Sequence, residues 1–298
     1  MSPSRWLMML AVPWGLSTGG CAAHTAQVTA PTESAAGARA AKDLLPSPEM
    51  LEKMHFAEAV GTILYLEDKA SAIGTDVMLA HIKEPAAEGI RGWLTIRNAT
   101  EAGEPLDSWS VFFLTDEDTP RIVCTIIVPL SGKPVFTRHE PPLVASPDIG
   151  RTFRARQTAL AAVPRNGQPI NTVMVPAAAV GARGQLVYLL AGTKTRGEVV
   201  FGMHYRALLS EDGLRVVEMK PLSQSVIILR EEDLPPGAEP VAFNVAHVIS
   251  DWPLETDVFV SLLHKRPVNV ITRVGMWQVD GNQIHYLGPN ESSPERDR

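Results

Sequence analysis

Apolar and polar residues alternate with a helical period over the first well-patterned stretch of the chain. Ser47, Pro48 and Glu49 begin it, since serine caps free amide groups, proline tolerates the first helical position and an acid favours the positive end of the dipole. Apolar residues then recur every three or four positions as far as Ile82. We expect one long helix, or two short helices with a break at Gly61 or Gly74.

A second helix is predicted where serine, proline and aspartate again occur together, at residues 146–148, and it continues to about Val163. Its apolar face is modest. Three arginines occur beside that face, and we expect all three on the solvated side of the helix: Arg151, Arg154 and Arg156.

Short β-rich runs separated by turn sequences make up most of the remaining chain. Runs after the first helix predict an antiparallel meander, at residues 92–98, 110–114 and 121–128. Further runs are at residues 170–176, 185–191, 198–209, 214–220, 225–230, 240–248 and 268–274, and residues 255–263 fit a helix or a strand equally. A final hairpin turns at Asp280, Gly281 and Asn282.

This order of elements predicts one α+β domain over residues 47–288, with a large antiparallel sheet, flanking helices and an N-terminal helix or helix pair. A division into two subdomains near residues 164–167 is the alternative. The polar residues 289–298 are expected to be a disordered tail.

The N-terminus has the composition of an export signal. Arg5 supplies a short basic start, and an apolar run covers residues 6–16. That run is shorter than the ~20 residues that a membrane-spanning helix needs, and small residues follow it as they do before a cleavage site. Residues 1–20 are therefore predicted to be a signal peptide.

The residues before Cys21, namely Leu16, Ser17, Thr18, Gly19 and Gly20, resemble the lipobox of bacterial lipoproteins. That resemblance implies lipid attachment, including palmitate, at Cys21, with the lipid bilayer as partner. Thr18 departs from the leucine that the lipobox usually has there, and the alternative is a secreted protein cut near Ala22 or Ala23. Ala22 after the cysteine implies the outer membrane, facing the periplasm.

Residues 21–46 are rich in small and polar residues and have few large apolar side chains to bury, which predicts a flexible tether. If Cys21 carries lipid, Cys124 has no partner for a disulfide, because the chain has only 2 cysteines. Cys124 lies in an apolar run and is expected to be a buried structural thiol.

Composition and motifs exclude several classes of function. The net charge of −6 and the lack of a basic block argue against nucleic-acid binding, which depends on neutralising phosphates. The chain has no GxSxG, P-loop, GxGxxG, HExxH or CxxC motif, and we expect no cofactor.

Two polar groups are the candidates for chemistry. On a predicted strand His204 and Arg206 point to one face and could reach a common ligand. The alternative is a hydrogen-bonded, half-buried histidine and an arginine that serves as a salt-bridge partner. The second group comprises His247, Asp251, Trp252, Glu255 and Asp257, of which Asp251 and Glu255 fit equally a loop carboxylate and a helix-start residue.

His247 and Asp257, ten residues apart, weakly resemble the second histidine and the aspartate of the JAMM-type zinc hydrolase motif. That motif also needs a remote glutamate and a histidine two positions earlier, where this chain has Val245. A zinc site would require His204 to replace the missing imidazole and would require His204, His247, Asp251 and Asp257 to converge.

Segments between residues 150 and 286, among them VYLL, GEVVFGMHYR and PVNVITRVGMWQVDG, resemble an uncharacterised group of proteobacterial exported proteins. That resemblance implies a Gram-negative source and no activity. The first hypothesis is thus a non-enzymatic lipoprotein that binds an envelope protein, a glycan or a small ligand. The alternatives are an envelope hydrolase with a degenerate JAMM-like zinc site and a structural or secretion-accessory part.

Overall fold

A computed structural model describes residues 46–164, 167–195, 197–224, 226–230, 233 and 241–290. The predicted signal peptide, Cys21 and the tether up to residue 45 lie outside these ranges, as does the tail from residue 291. Residues 165 and 166, at the alternative subdomain boundary, also lie outside them.

The first helix, α1, is continuous over Pro48–His81. Ser47 caps it as predicted, since its Oγ accepts a hydrogen bond of 3.2 Å from the amide of Met50. Neither glycine breaks the helix. Both allow close packing instead: a Cβ at Gly61 would lie 2.5 Å from Cβ of Val258, and one at Gly74 would lie 2.8 Å from Cγ2 of Val111.

The predicted meander is confirmed, and it has a fourth strand. β1 (Gly92–Ala99), β2 (Pro105–Leu114), β3 (Arg121–Pro129) and β4 (Val135–Val144) pair antiparallel in chain order. The apolar pattern missed β4 because it is an edge strand with most of its residues exposed and with two prolines, which edge strands tolerate.

A second four-stranded antiparallel sheet contains β5 (Ile170–Pro176), β6 (Gln185–Ala191), β8 (Tyr205–Leu209) and β9 (Val216–Pro221), in that order. The predicted strand over residues 198–209 is in fact two strands. The left-handed backbone at Gly202 (φ 92°) and Met203 (φ 56°) interrupts it. The earlier piece, β7 (Val199–Phe201), pairs with β10 (Ile227–Leu229) in a separate ribbon.

The C-terminal strands form a third sheet, in the order β11 (Phe243–Ala246), β12 (Val268–Ile271), β13 (Gly275–Asp280) and β14 (Gln283–Pro289). β11 and β12 are parallel, and the remaining pairs are antiparallel. The segment that fitted helix or strand is a helix, α3 (Glu255–His264), which supplies the crossover that parallel strands need. The predicted α+β class is confirmed, but in the described ranges the strands form three four-stranded sheets and a ribbon where one large antiparallel sheet was expected.

The long helix α1 contributes to two hydrophobic cores. Its first half, around Leu64, packs with Val258 of α3 and with Tyr188 and Trp277 of the second and third sheets. Its second half, around Met78, packs against the inner face of the meander. One rigid element thus holds all three four-stranded sheets in place.

The second helix, α2 (Pro147–Ala162), begins at the Ser146 cap as predicted. The expectation that Arg156 is solvated is wrong, because only 3% of this residue is exposed. Its Nε donates a 2.8 Å hydrogen bond to Oγ1 of Thr172, and its guanidinium lies 4.3 Å from the Trp93 ring centroid. Burial lowers the pKa of Arg156 to about 10. The reason is that α2 packs against two sheets, which leaves this position no solvated side.

A polar layer crosses α1 between the two cores. Glu67 is 8% exposed, and its Oε2 has no hydrogen-bond partner among the described residues. Burial raises the pKa of Glu67 to about 8, although the charge of Arg97 and the backbone of Met174 act in the opposite direction. Beside it the hydroxyls of Ser71 and Thr95 hydrogen-bond at 2.6 Å.

Replacing Gly61 by alanine should force α1 and α3 apart, because the added Cβ would also lie 2.6 Å from the carbonyl oxygen of Glu255. We expect Gly61→Ala to lower the free energy of unfolding by about 2 kcal/mol, measured by urea denaturation. Gly150→Ala is the matched control within a helix. Its Cβ would meet nothing closer than 3.6 Å, so helix propensity should stabilise that variant by about 1 kcal/mol. Equal effects of the two substitutions would contradict the packing argument.

Glu67→Gln should stabilise the protein increasingly as the pH rises. Because the pKa of Glu67 is raised in the folded state, the folded protein holds this proton more tightly than the unfolded chain does. The resulting contribution to the free energy of unfolding is complete below about pH 4.5 and is lost as the pH rises through about 8. Thermal melts should show the variant exceeding the wild type by on the order of 5 °C at pH 8 and by little below pH 4.5. Asp76→Asn, at an exposed site of the same helix, is the control. A difference that does not grow with pH would contradict this assignment.

Candidate functional site

A cavity of about 740 Å³ opens where α1, the second sheet and the start of α3 meet. The first turns of α1 and the loop before α3 form two of its sides. The strands β8 and β9 and a short 3-10 helix, Ala177–Val180, form the others. Its volume is in the range of small-molecule sites in proteins.

The polar wall of the cavity is organised around Glu255, the first residue of α3. Only 2% of Glu255 is exposed. Its Oε1 accepts hydrogen bonds from the hydroxyl of Tyr188 at 2.7 Å and from Nη1 of Arg206 at 3.1 Å. Tyr188 and Arg206 are direct cross-strand partners on β6 and β8, so the sheet presents both donors to one carboxylate. Three elements therefore fix the orientation of this wall before any ligand arrives.

The charges of this network reinforce one another. Burial lowers the pKa of Arg206, but the Glu255 carboxylate and the contact with Tyr188 outweigh it, so that the net pKa is raised. Burial and the charge of Glu255 both raise the pKa of the Tyr188 hydroxyl. Arg206 stays cationic and Tyr188 stays a neutral donor at physiological pH.

Part of the cavity lining is apolar and includes aromatic rings. Phe56 of α1 and Trp252 of the loop line the cavity together with Val180 and Leu254, and all four are partly exposed. Ser250 shapes the loop, because its Oγ donates to the carbonyl of Trp252 at 2.6 Å. At the rim, Val248 is 76% exposed.

The remaining charged groups lie around the mouth. Lys53 of α1 and Lys220 of β9 line the cavity, and neither makes an ion pair with any described residue. Asp251 also lines it, but its Oδ2 accepts a 2.6 Å hydrogen bond from Nη2 of Arg273. Glu52 is the remaining acid. With Asp251 already paired, two lysines and one acid remain among these groups at the mouth.

Asp257 holds the loop to the start of α3. Its Oδ2 accepts the amide of Leu254 at 2.7 Å, and its Oδ1 lies 3.2 Å from Nε2 of His247. Burial lowers the pKa of His247, but the charge and hydrogen bond of Asp257, with the backbone of Trp252, raise it overall. The contact between His247 and Asp257 thus joins the residue after β11 to the first turn of α3.

His204 does not reach this cavity. It lies just before β8, only 3% exposed, and its Nδ1 accepts the amide of Ala191 at 3.0 Å. Its ring packs edge-on against Phe259. Burial lowers the pKa of His204 to about 4, although the charge of Asp257 acts in the opposite direction. The side chain is neutral at physiological pH.

The residues that sequence reasoning selected are only partly brought together. Arg206 and Asp251 line the cavity, His247 and Asp257 form an ion pair beside it, and His204 is buried apart from Arg206. In the part of the chain that the structure describes, no group of three or more His, Cys, Asp or Glu side chains is placed to share a metal ion.

Sequence reasoning missed the roles of Tyr188, Lys53 and Lys220, and it placed Glu255 in the second polar group without identifying its partners. The only sequence signal for Tyr188 is its hydroxyl group within an otherwise apolar strand. Its role becomes visible only when β6 is known to pair with β8, which places Tyr188 beside Arg206. Cys124 is fully buried and free, as predicted, and burial raises the pKa of its thiol to about 12 against the charge of Arg138.

The ion pair of His247 should make stability depend on pH. Because its folded-state pKa is raised, its contribution is complete below about 6.5 and is lost as the pH rises through the folded value. Thermal melts from pH 6 to pH 9 should show His247→Asn less stable than the wild type at the acid end, with a difference that shrinks as pH rises. His285→Asn, at an exposed position, should show no such trend. A constant difference for His247→Asn would contradict the protonated pair.

None of the helices in the described ranges combines the length and the apolar character needed to cross a membrane. Comparisons of the chain with models of protein families, with curated proteins and with solved structures found no match.

Proposed function

We propose that this chain is a lipid-anchored protein of the outer membrane that faces the periplasm and binds a ligand in the cavity beside Glu255. Its role is binding, within the envelope, and not catalysis. The observation that carries the binding role is the cavity, with its preorganised polar wall and partly exposed aromatic wall.

The anchor rests on the N-terminal sequence. A short basic start, an apolar run and small residues precede Cys21, as in the lipobox of bacterial lipoproteins. Two or more lipid chains on one terminus give stable attachment where a single chain gives only marginal binding.

The binding role also accounts for how the polar groups are used. Glu255 is shared by two donors, and Asp257 is engaged by His247 and by the amide of Leu254. Of these two acids Glu255 lines the cavity, where a group held in this way orients a ligand at little entropic cost, while Asp257 holds the loop that carries Trp252. The alternative of a zinc hydrolase needs ligands that converge on one ion, and in the described ranges no group of three His, Cys, Asp or Glu side chains is placed to share a metal ion.

Metabolic labelling with radioactive palmitate in a Gram-negative host tests the anchor. We expect the wild-type chain to incorporate label and to sediment with the outer membrane, and Cys21→Ser to do neither. Cys124→Ser is the matched control, since it removes the chain's other cysteine and should keep the label. Label that persists in Cys21→Ser, or that is absent from the wild type, would overturn the anchor.

A further inference from the structure

We infer that the cavity takes an amphiphilic anion, with its anionic group between Lys53 and Lys220 and its alkyl or aryl body against Phe56 and Trp252. This inference rests on the proposed binding function and specifies the chemical class of the ligand.

The argument for a negative charge starts from the register of β8 and β9. Arg206 and Lys220 are direct cross-strand partners, so two cations face each other with Cβ atoms about 5 Å apart, an arrangement that is unfavourable without a counter-charge. Glu255 supplies one for Arg206. The charge of Glu218 also acts on Arg206, but this residue does not line the cavity.

Among the residues that line the cavity, three acids face three bases, but the acids are not equally available. Glu255 is engaged by Arg206, and Asp251 is engaged by Arg273, which lies outside the lining. Among the lining residues, Lys53 and Lys220 are then opposed by Glu52 alone. An incoming anion would complete this arrangement, whereas an incoming cation would meet an excess of its own sign.

The argument for an apolar body comes from the apolar part of the cavity lining. Phe56, Val180, Trp252 and Leu254 remain partly exposed although they surround a space large enough for an alkyl chain. Covering them removes apolar surface from water, which favours binding by roughly 25 cal/mol for each Å². A ligand with one charged end and one apolar end contacts the two lysines and the apolar side chains at the same time.

The probe of choice is dansyl-aminoundecanoic acid, whose fluorescence rises when its apolar part leaves water, with its methyl ester as the uncharged match. The full chain with Cys21→Ser, which lacks the attachment site for lipid, allows titration without detergent. We expect saturable binding of the acid, with the ester weaker by about fivefold. Dodecanoate and dodecyl phosphate should displace the acid, and the stronger competitor identifies the head group. Dodecyltrimethylammonium should displace it more weakly than dodecanoate does.

Variants then locate the charge. Lys53→Gln and Lys220→Gln should each weaken binding of the acid by about fivefold and leave binding of the ester unchanged. Lys133→Gln, at an exposed lysine outside the cavity, is the matched control and should change neither. Arg206 is unsuited to this test, because its loss would leave Glu255 buried without a counter-charge.

The outcomes separate the two proposals. If the ester binds as tightly as the acid and the lysine variants change nothing, the cavity is a binding site but the inference about an anion is wrong. Displacement by dodecyltrimethylammonium as strong as that by dodecanoate would overturn the inference in the same way. If neither acid nor ester binds, the inference fails, and with it the support that the cavity gives to the proposed binding function.

Discussion

The close approach of α1 to α3 at Gly61 is the contact on which the rest of the structure depends. At that point the backbone of Glu255 and the side chain of Val258 occupy the space that any side chain at position 61 would need. Glycine weakens a helix interior by about 1 kcal/mol relative to alanine, and here the dense packing between the two helices offsets that cost. The contact sets where α3 begins, and hence where the Glu255 carboxylate lies.

The position of Glu255 connects this packing to the cavity. Its carboxylate is buried, so it requires partners. The donors that reach it come from β6 and β8, two adjacent strands of the second sheet. Tyr188 and Arg206 therefore both support α3, and Arg206 also lines the cavity. Displacement of α3 would leave the acid unpaired and would open the wall at the same time.

Burial decides the protonation of the other ionisable groups near the centre of the molecule. Glu67 and His204 are both buried with one side-chain atom lacking a partner in the described chain, and in both the neutral form is favoured. His247 differs because Asp257 faces it, so its pKa is raised where burial lowers that of His204. A count of histidines along the chain does not distinguish these two environments.

The sequence by itself determined the local elements: the Ser47 and Ser146 caps, the antiparallel meander, the turn at Gly281 and the α+β class. Such features depend on neighbours within a few residues, which is why apolar periodicity and cap chemistry reveal them. Only the tertiary structure decided that Arg156 is buried, that Gly61 is a packing site and that Tyr188, Arg206 and Glu255 meet. Those outcomes depend on which strands pair and which helices cross, and that information is spread over contacts between distant residues, such as the 67 positions that separate Tyr188 from Glu255.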